Sequence, residues 1–516
     1  MRMPFAGWSL LGLFLAVFVT AYAPALMTPY AFLDDYFWLA SALQGDQFGI
    51  KVKFAYGRPL YGLLLDGISI SSAAVRDIGD LRYLRFLGIV GIAVLAWNVF
   101  RLLVRTGWRQ TQSFFMSVIL CTTLPFQVYA AWTVTAFYPY SALASILAFA
   151  LAERAFDEQG RLPKWLLGAG ACLALLIALT IYQPAAMFFW VFAAVILLKP
   201  DIPLCDMLRR FGWYCLITLV GMLLGFVVYK LGSSLYPLIP ARPVFVVQHL
   251  PAKVVWFLCE ALPNALNFAL LSPAHGVFAE GSPARSSFHR SVDILIAWSI
   301  FLIIVGGLML HLRGTLKERL WKLGIVGSLL PLSYAPNLLA AENWAAYRTL
   351  SSLTSVVVVY AFFSFWGYAH RLHPPLSPSC ANAAVGGVAI VCVLLAMYHL
   401  QTSFVAPQVR ELEFMRSQLA EKDFTRARGI YVIRSRWQDT LAPPVRYDEF
   451  GLPSSSHPVL VPDRMVFLLL RDIAPCHAHL PVTVVAADDP IDPPPDSLVV
   501  DMRNLRLQAQ RDDGGP

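Results

Sequence analysis

The stretch "GWSLLGLFLAVFVTAYAPAL" at residues 7–26 decides the class of fold, because it is a long apolar run without a charge. A helix of about 20 apolar residues spans the hydrocarbon core of a bilayer, whereas the core of a secretory signal has only about 7–15. Arg2 and the small residues "AYA" at 21–23 resemble the positive start and the cleavage site of a secretory signal peptide. The length nevertheless favours an uncleaved first span with its N-terminus in the cytoplasm.

The whole chain shares this apolar character. Of its 516 residues 58% are hydrophobic and 14% are charged, whereas an ordinary soluble domain carries roughly a quarter charged residues. The composition therefore predicts a mainly α, polytopic membrane helix bundle. Apolar windows indicate about eleven spans, near residues 7–27, 84–104, 112–130, 136–153, 165–182, 185–198, 213–235, 291–311, 321–340, 351–369 and 382–401.

Basic residues follow every second candidate span, as the positive-inside rule requires of cytoplasmic turns. With the N-terminus inside, an odd number of spans places the C-terminal tail outside the inner membrane. The surplus of positive charge before residue 402 is thereby explained by topology, and no nucleic-acid partner is predicted. The basic residues of these turns are Arg105, Arg109, Arg154, Arg161, Lys164, Lys199, Arg209, Arg210, Arg313, Lys317, Arg319, Lys322 and Arg371.

Two long segments on the outer side contain apolar runs that are short or interrupted. Residues 27–83 include "YFWLASAL" and "PLYGLLLDGISI", and residues 235–290 include "AKVVWFLCEALPNALNFALL". Runs of this kind suit helices that lie in the membrane interface rather than across it. We therefore expect interfacial helices in two outer loops.

The chain changes character at residue 402, beyond which 13 basic and 16 acidic residues occur. The run "QVRELEFMRSQLAEKDFTRA" has apolar residues at helical spacing, and "PDRMVFLLLRDIA" also predicts a helix. The runs "GIYVIRSR", "PVTVVAADDP" and "DSLVVDM" are typical of short strands. We expect a transmembrane domain over 1–401, a small extracytoplasmic α/β module over 402–510 without catalytic residues, and a disordered tail over 511–516.

Asp34 and Asp35 stand side by side at the edge of the first span, within "FLDDYFWLASAL". A carboxylate at a membrane boundary loses hydration, which raises its pKa and its strength as a base. Adjacent carboxylates point in different directions, so one can act as base while the other orients an acceptor or holds a divalent cation. The alternative is that an outer loop simply contains two acids.

Three further places combine polar side chains with the predicted outer face. Arg58 lies between a glycine and a proline, in a turn that presents its guanidinium to a phosphate or to lipid headgroups. Tyr182 and Gln183 interrupt the apolar pattern in a tight turn, as substrate contacts or as a helix cap. Glu342 and Arg348 flank the turn between spans nine and ten, where Arg348 binds an anionic lipid phosphate or pairs with Glu342.

The order of these motifs resembles the C-type (GT-C) glycosyltransferase superfamily. "DD" opens the first outer loop, interfacial helices follow, and "GRPL", "YQ" in a tight outer turn and "AYRTL" come later. Within that superfamily the chain resembles the bacterial serotype-converting glucosyltransferases, which decorate O-antigen of lipopolysaccharide or other surface glycans of the cell envelope. The resemblance covers roughly residues 1–401, and each motif is short.

The resemblance implies an enzyme that takes a sugar from a polyprenyl-phosphate donor and transfers it to a glycan acceptor on the outer face of the bacterial inner membrane. Asp34 and Asp35 would be the catalytic acid–base position, and Arg58 and Arg348 would bind the donor phosphate. A flippase and a polyprenyl-phosphate sugar synthase would be its partners.

Arg285 and His289, before the eighth span, are weaker candidates for contacts with the donor phosphate. The eight cysteines show no metal-type spacing. No metal site is predicted beyond a divalent cation that Asp34 and Asp35 would hold if the reaction uses one.

Three other functions remain open. A transporter or flippase of lipid-linked glycans needs polar groups through the membrane, but the candidate spans contain few ionisable residues. A glycan polymerase or ligase acts on the same lipid-linked material and also uses outer arginines, so the early "DD" is the feature that separates it. A scaffold for polysaccharide assembly would bind no lipid phosphate at Arg58.

Overall fold

The computed structural model describes residues 6–70, 75–157, 163–237, 239, 250–266, 287–371, 377–435, 449–456 and 461–505. Over these residues the chain is mainly helical with one small sheet, as the sequence predicts. The helices of the first half are α1 Ala6–Ala21, α2 Ala23–Met27, α3 Asp34–Leu43, α4 Phe48–Ala55, α5 Pro59–Gly62, α6 Leu81–Arg105, α7 Gln110–Cys121, α8 Leu124–Ala131, α9 Tyr138–Phe156, α10 Lys164–Ile181, α11 Gln183–Ala186, α12 Phe189–Leu197 and α13 Leu204–Leu235.

The second half continues the helical bundle and then forms the sheet. Its helices are α14 Leu250–Trp256, α15 Leu262–Leu266, α16 Ser287–His311, α17 Leu316–Leu332, α18 Ala335–Leu339, α19 Ser351–Ala369, α20 Pro378–His399, α21 Ala406–Ala420 and α22 Pro462–Ile473. Three π-helical segments, Leu63–Ile70, Phe257–Ala261 and Leu400–Val405, continue α5, α14 and α20.

All eleven predicted spans coincide with helices, but fewer helices are long and apolar enough to cross a membrane. Among the described residues seven meet that requirement by length and composition, and an eighth is obtained if α7 and α8, bent by 64°, count as one span. Thr123 is the N-cap of α8, and Pro125 is the second residue of this helix, where its missing N–H costs no intrahelical hydrogen bond. The count of eleven therefore stays a prediction.

Burial separates the centre of the bundle from its perimeter. The apolar window of α19 is 83% buried, whereas those of α13 and α16 are 22% buried. Large apolar side chains of these outer helices, such as Leu219, Leu223 and Leu302, face outward. A surface of this kind suits lipid rather than water.

The tail forms the small α/β unit that its strand and helix patterns predict. Strands β1 Gly429–Ile433, β2 Val482–Val485 and β3 Ser497–Asp501 form a parallel sheet in the order β2-β1-β3. The central strand β1 is buried at all five positions, as expected for a parallel strand covered on both faces. The predicted boundary at 401/402 falls inside one helical run from α20 through α21, and residues 511–516 lie outside the described part of the chain.

Candidate functional site at one end of the bundle

A cavity of about 700 Å³ lies at one end of the bundle. Its walls come from α3, α4, α13, the segments 132–138 and 336–349, and the tail. The cavity brings together most of the side chains that the sequence singles out. Those that line it are Asp34, Arg58, Tyr182, Gln183, Glu342 and Arg348.

Asp34 is the first residue of α3, and its side chain is exposed to this cavity. A carboxylate in the first turn of a helix is favoured by the helix dipole. The residue before it, Leu33, has φ 43° and ψ −107°, a backbone conformation that costs about 1–3 kcal/mol in a residue with a side chain. The N–H of Leu33 donates to Ser454 Oγ at 3.1 Å, so the tail contacts the backbone immediately before Asp34.

Asp35 does not line the cavity, because its side chain turns into the protein and is 1% exposed. Its two oxygens accept hydrogen bonds from the backbone N–H of Phe32, at 3.2 Å, and of Val134, at 3.0 Å. Burial raises the pKa of Asp35 to about 7, and Arg85 and these hydrogen bonds oppose the rise. Asp35 thus joins the turn before α3 to the segment before α9.

Arg85, which was not singled out from the sequence, is fully buried in α6. Its guanidinium donates to Thr133 Oγ1 at 3.1 Å, to Ala25 O at 3.2 Å and to Tyr30 O, and it stacks 3.6 Å from the centre of the Tyr30 ring. A buried arginine requires such partners and a nearby negative charge. Arg85 and Asp35 therefore form a charge-compensated support behind the cavity wall.

We expect the stability of the protein to depend on the ionisation of Asp35. The pKa of Asp35 in the folded chain, about 7, lies above the ordinary value of 3.8. The folded state therefore keeps this proton to a higher pH than the unfolded state. Stability therefore falls as the pH rises from about 4 to about 7, by up to about 4 kcal/mol. Thermal unfolding of wild type and Asp35→Asn between pH 4.5 and 8 should show a smaller decline in the variant. Equal declines would contradict this role, because all other titrating groups are common to both proteins.

Arg58 is placed in the turn that the sequence predicts. Gly57 has φ +70°, and a Cβ there would lie 2.9 Å from the Tyr229 backbone, so only glycine fits. Arg58 Nε donates to Gln183 Oε1 at 2.7 Å, and its guanidinium lies 4.9 Å from the centre of the Tyr182 ring. Within the described part of the chain, Arg58 has no carboxylate partner.

Arg348 is held by two aromatic rings and a carboxylate. The rings of Trp132 and Trp344 lie 4.7 and 4.4 Å from its guanidinium. Glu449 of the tail accepts from Arg348 Nη1 at 3.1 Å and from the backbone N–H of Tyr347 and Arg348. Glu449, which was not singled out from the sequence, is 2% exposed, so its charge depends on Arg348 for compensation.

Glu342 also lines the cavity, at the exposed end of the same loop. Its carbonyl accepts from Lys253 Nζ at 2.8 Å, and Lys253 also donates to Asn343 Oδ1 at 2.7 Å. Burial lowers the pKa of Lys253, and Glu342 opposes that effect. Helix α14 thus supports the loop that carries Glu342.

The remaining predicted site residues cannot be compared with this cavity. Arg285 lies outside the described residues, and only the backbone of His289, in the first turn of α16, is described.

Lys53 is a third cation on the cavity wall. Its ammonium lies 4.3 Å from the centre of the Trp38 ring and 4.9 Å from that of Tyr61. Burial raises the pKa of nearby Asp66 to about 6, and Lys53 opposes the rise. The run "KVKF" just before the Arg58 turn draws attention to Lys53 in the sequence, whereas no pattern in the sequence singles out Asp66.

Asp34 and Arg58 both influence the pKa of the Tyr61 phenol. Burial raises the pKa of Tyr61, Asp34 adds to the rise, and Arg58 opposes it. The carboxylate and the guanidinium therefore lie within electrostatic reach of one ring. Since both side chains also line the cavity, it offers a cation for an anion and a carboxylate for a proton.

Comparison with known protein families finds no family model that matches the chain, and no curated protein matches it significantly. Among the described residues, no group of three or more His, Cys, Asp or Glu side chains is arranged to hold a metal ion.

Proposed function

We propose that the chain is an integral-membrane glycosyltransferase that moves a sugar from a polyprenyl-phosphate donor to a surface glycan. The observation that carries the proposal is the cavity in which the exposed carboxylate of Asp34 shares the walls with Arg58 and Arg348. Transfer from a lipid phosphate needs a base for the acceptor and cations for the leaving phosphate. The resemblance of the sequence motifs to GT-C enzymes points to the same chemistry.

In the proposed reaction Asp34 takes the proton of an acceptor hydroxyl. The hydroxyl oxygen forms a bond to the anomeric carbon of the donor sugar, and the bond from that carbon to the phosphate oxygen breaks. The electron pair of the broken bond goes to the polyprenyl phosphate. Arg58 stabilises this phosphate with the N–H groups that Gln183 does not occupy, and Arg348 adds a second, fixed cation.

The apolar part of the cavity suits the lipid of the donor. Met222 and Phe226 of α13 and Leu339 of α18 line the cavity on one side. Since α13 also presents apolar side chains outward, a polyprenyl chain can pass from this wall into the surrounding bilayer. The donor phosphate would then lie at the boundary between lipid and water.

The proposed location is the inner membrane of a bacterium, with about eleven spans and the cavity on the outer face. The basic turns lie at the opposite helix ends, where Arg210 pairs with Glu153 and Asp157, and Arg313 pairs with Asp201. A flippase and a polyprenyl-phosphate sugar synthase would supply the donor from the cytoplasmic side.

The proposal is tested with purified protein in lipid nanodiscs, a polyprenyl-phosphate hexose carrying a labelled sugar, and surface glycan as acceptor. Label in the glycan together with free polyprenyl phosphate is the expected result. Movement of intact donor across a vesicle membrane without cleavage would instead indicate a transporter. Transfer only from a polyprenyl-diphosphate glycan would indicate a polymerase or ligase.

Native cysteines provide a test of the orientation. Cys205 and Cys380 are exposed beside the basic turns, and Cys476 is exposed in the tail. In variants that keep one of these cysteines, a membrane-impermeant maleimide applied to intact spheroplasts should label Cys476. It should label Cys205 and Cys380 only after permeabilisation. The reverse pattern would place the cavity on the cytoplasmic side.

A further inference from the structure

The loop from Glu449 to Ser456 belongs to the tail, yet it reaches the cavity at two separate places. Glu449 fixes Arg348, as described above, and Ser454 contacts the backbone before Asp34. Both residues are buried, with Ser454 at 0% exposure and Glu449 at 2%. A module that merely followed the membrane domain would have no need of buried polar contacts at both charged groups.

Ser454 is itself held from behind. Its hydroxyl donates to Gln408 Oε1 at 2.7 Å while it accepts from Leu33 N–H at 3.1 Å. The N–H groups of Ser454 and Ser455 donate to the two oxygens of Glu411, at 2.9 and 2.6 Å. Gln408 and Glu411 lie on α21, so this helix determines where the Ser454 hydroxyl stands.

The contact falls where the backbone requires support. Leu33 has a positive φ, and the N–H that would otherwise be unsatisfied in this buried turn is the one that Ser454 accepts. The conformation of Leu33 sets the direction in which α3 starts, and Asp34 is the first residue of α3. Loss of the contact allows Leu33 to relax and Asp34 to move relative to Arg58.

We infer that Ser454, held by Gln408 and Glu411, is a positioning residue for Asp34, so that the tail completes the site of the membrane domain. The inference rests on the proposed function, because Asp34 matters only if it is the base. A displacement of about 1 Å can reduce a rate by up to about a hundredfold without loss of binding. The tail thus contributes to the rate of transfer through its support of Asp34.

The matched pair Ser454→Ala and Ser455→Ala tests this inference. Both serines are buried, both donate their backbone N–H to Glu411, and each variant loses one hydroxyl. The Ser455 hydroxyl contacts Ser435 Oγ and Glu411 instead of Leu33, and Glu411 keeps both backbone hydrogen bonds in Ser455→Ala. Ser454→Ala should accelerate amide hydrogen exchange in the peptide that contains Leu33, and should lower kcat about 10- to 100-fold with the KM for the donor unchanged. Ser455→Ala should change neither quantity.

Each other outcome is decisive. Wild-type exchange at Leu33 in Ser454→Ala, or faster exchange with unchanged kcat, would overturn the positioning role. If Ser454→Ala does not fold, Gln408→Ala, which leaves Ser454 in place but frees its hydroxyl, is measured against the same expectations. If the wild type transfers no sugar, the proposed function fails, whereas the exchange data still decide whether Ser454 holds Leu33.

Discussion

Asp34→Asn is expected to lower sugar transfer by about a hundredfold or more, the usual scale for loss of a general base. The asparagine keeps nearly the same volume but does not accept a proton at neutral pH. Because the Asp34 side chain is exposed to the cavity, the variant should insert and unfold like the wild type. Transfer to glycan and thermal unfolding, measured on the same preparation, check both parts of this expectation.

Glu342→Gln provides the comparison, because Glu342 is another carboxylate on the wall of the same cavity. Asp34 stands at the start of a helix whose entry is fixed by Asp35 and Ser454, whereas Glu342 lies in a loop. A base must be held in place to act. We therefore expect Glu342→Gln to change transfer by less than about tenfold. A large loss in Glu342→Gln and none in Asp34→Asn would assign the base to Glu342.

Arg58→Lys is expected to reduce transfer by about 10- to 100-fold, because it keeps the charge but removes the planar fork. Arg58 gives Nε to Gln183 and retains further N–H groups for a phosphate, whereas a lysine ammonium has no such rigid geometry. Among the described residues no carboxylate neutralises Arg58, so it contributes more positive charge to the cavity than Arg348, which Glu449 pairs. The loss should appear in both the donor KM and kcat.

Two controls separate this effect from a general one. Arg82→Lys makes the same exchange at a fully exposed arginine outside the cavity and should leave transfer unchanged. Gln183→Leu removes the partner that orients Arg58 and should produce part of the loss seen in Arg58→Lys. Full activity in Arg58→Lys would assign Arg58 to contact with ordinary lipid headgroups.

The helical content, the strands of the tail and several polar side chains of the cavity could be predicted from the sequence. The apolar runs and the alternation in the tail are local signals, and they coincide with the long helices, with α21 and α22, and with β1–β3. Asp34, Arg58, Gln183 and Arg348 could be singled out because each interrupts an apolar pattern on the predicted outer face. That their side chains share one cavity follows from the alternation of the helices across the bundle.

The contacts that organise the site could not be predicted. Glu449 and Ser454 lie about a hundred or more residues from Arg348 and Leu33, and no periodicity links them. Two neighbouring aspartates look alike in sequence, but only the structure separates Asp34, which faces the cavity, from buried Asp35. The count of spans was also uncertain from hydropathy, because α1 and the helical run Gln183–Leu197 are apolar but short.

The helical run Ser379–Ala420 is 42 residues long, about 60 Å from end to end, and it joins the bundle to the tail without a flexible linker. Helices adjust to bilayers of different thickness by changing their tilt. With α20 as one of the proposed membrane spans, a change in its tilt would displace α21, which continues the same helical run, and with it Gln408 and Glu411. The thickness of the surrounding membrane would thereby affect the position of Asp34 through the helical run and Ser454.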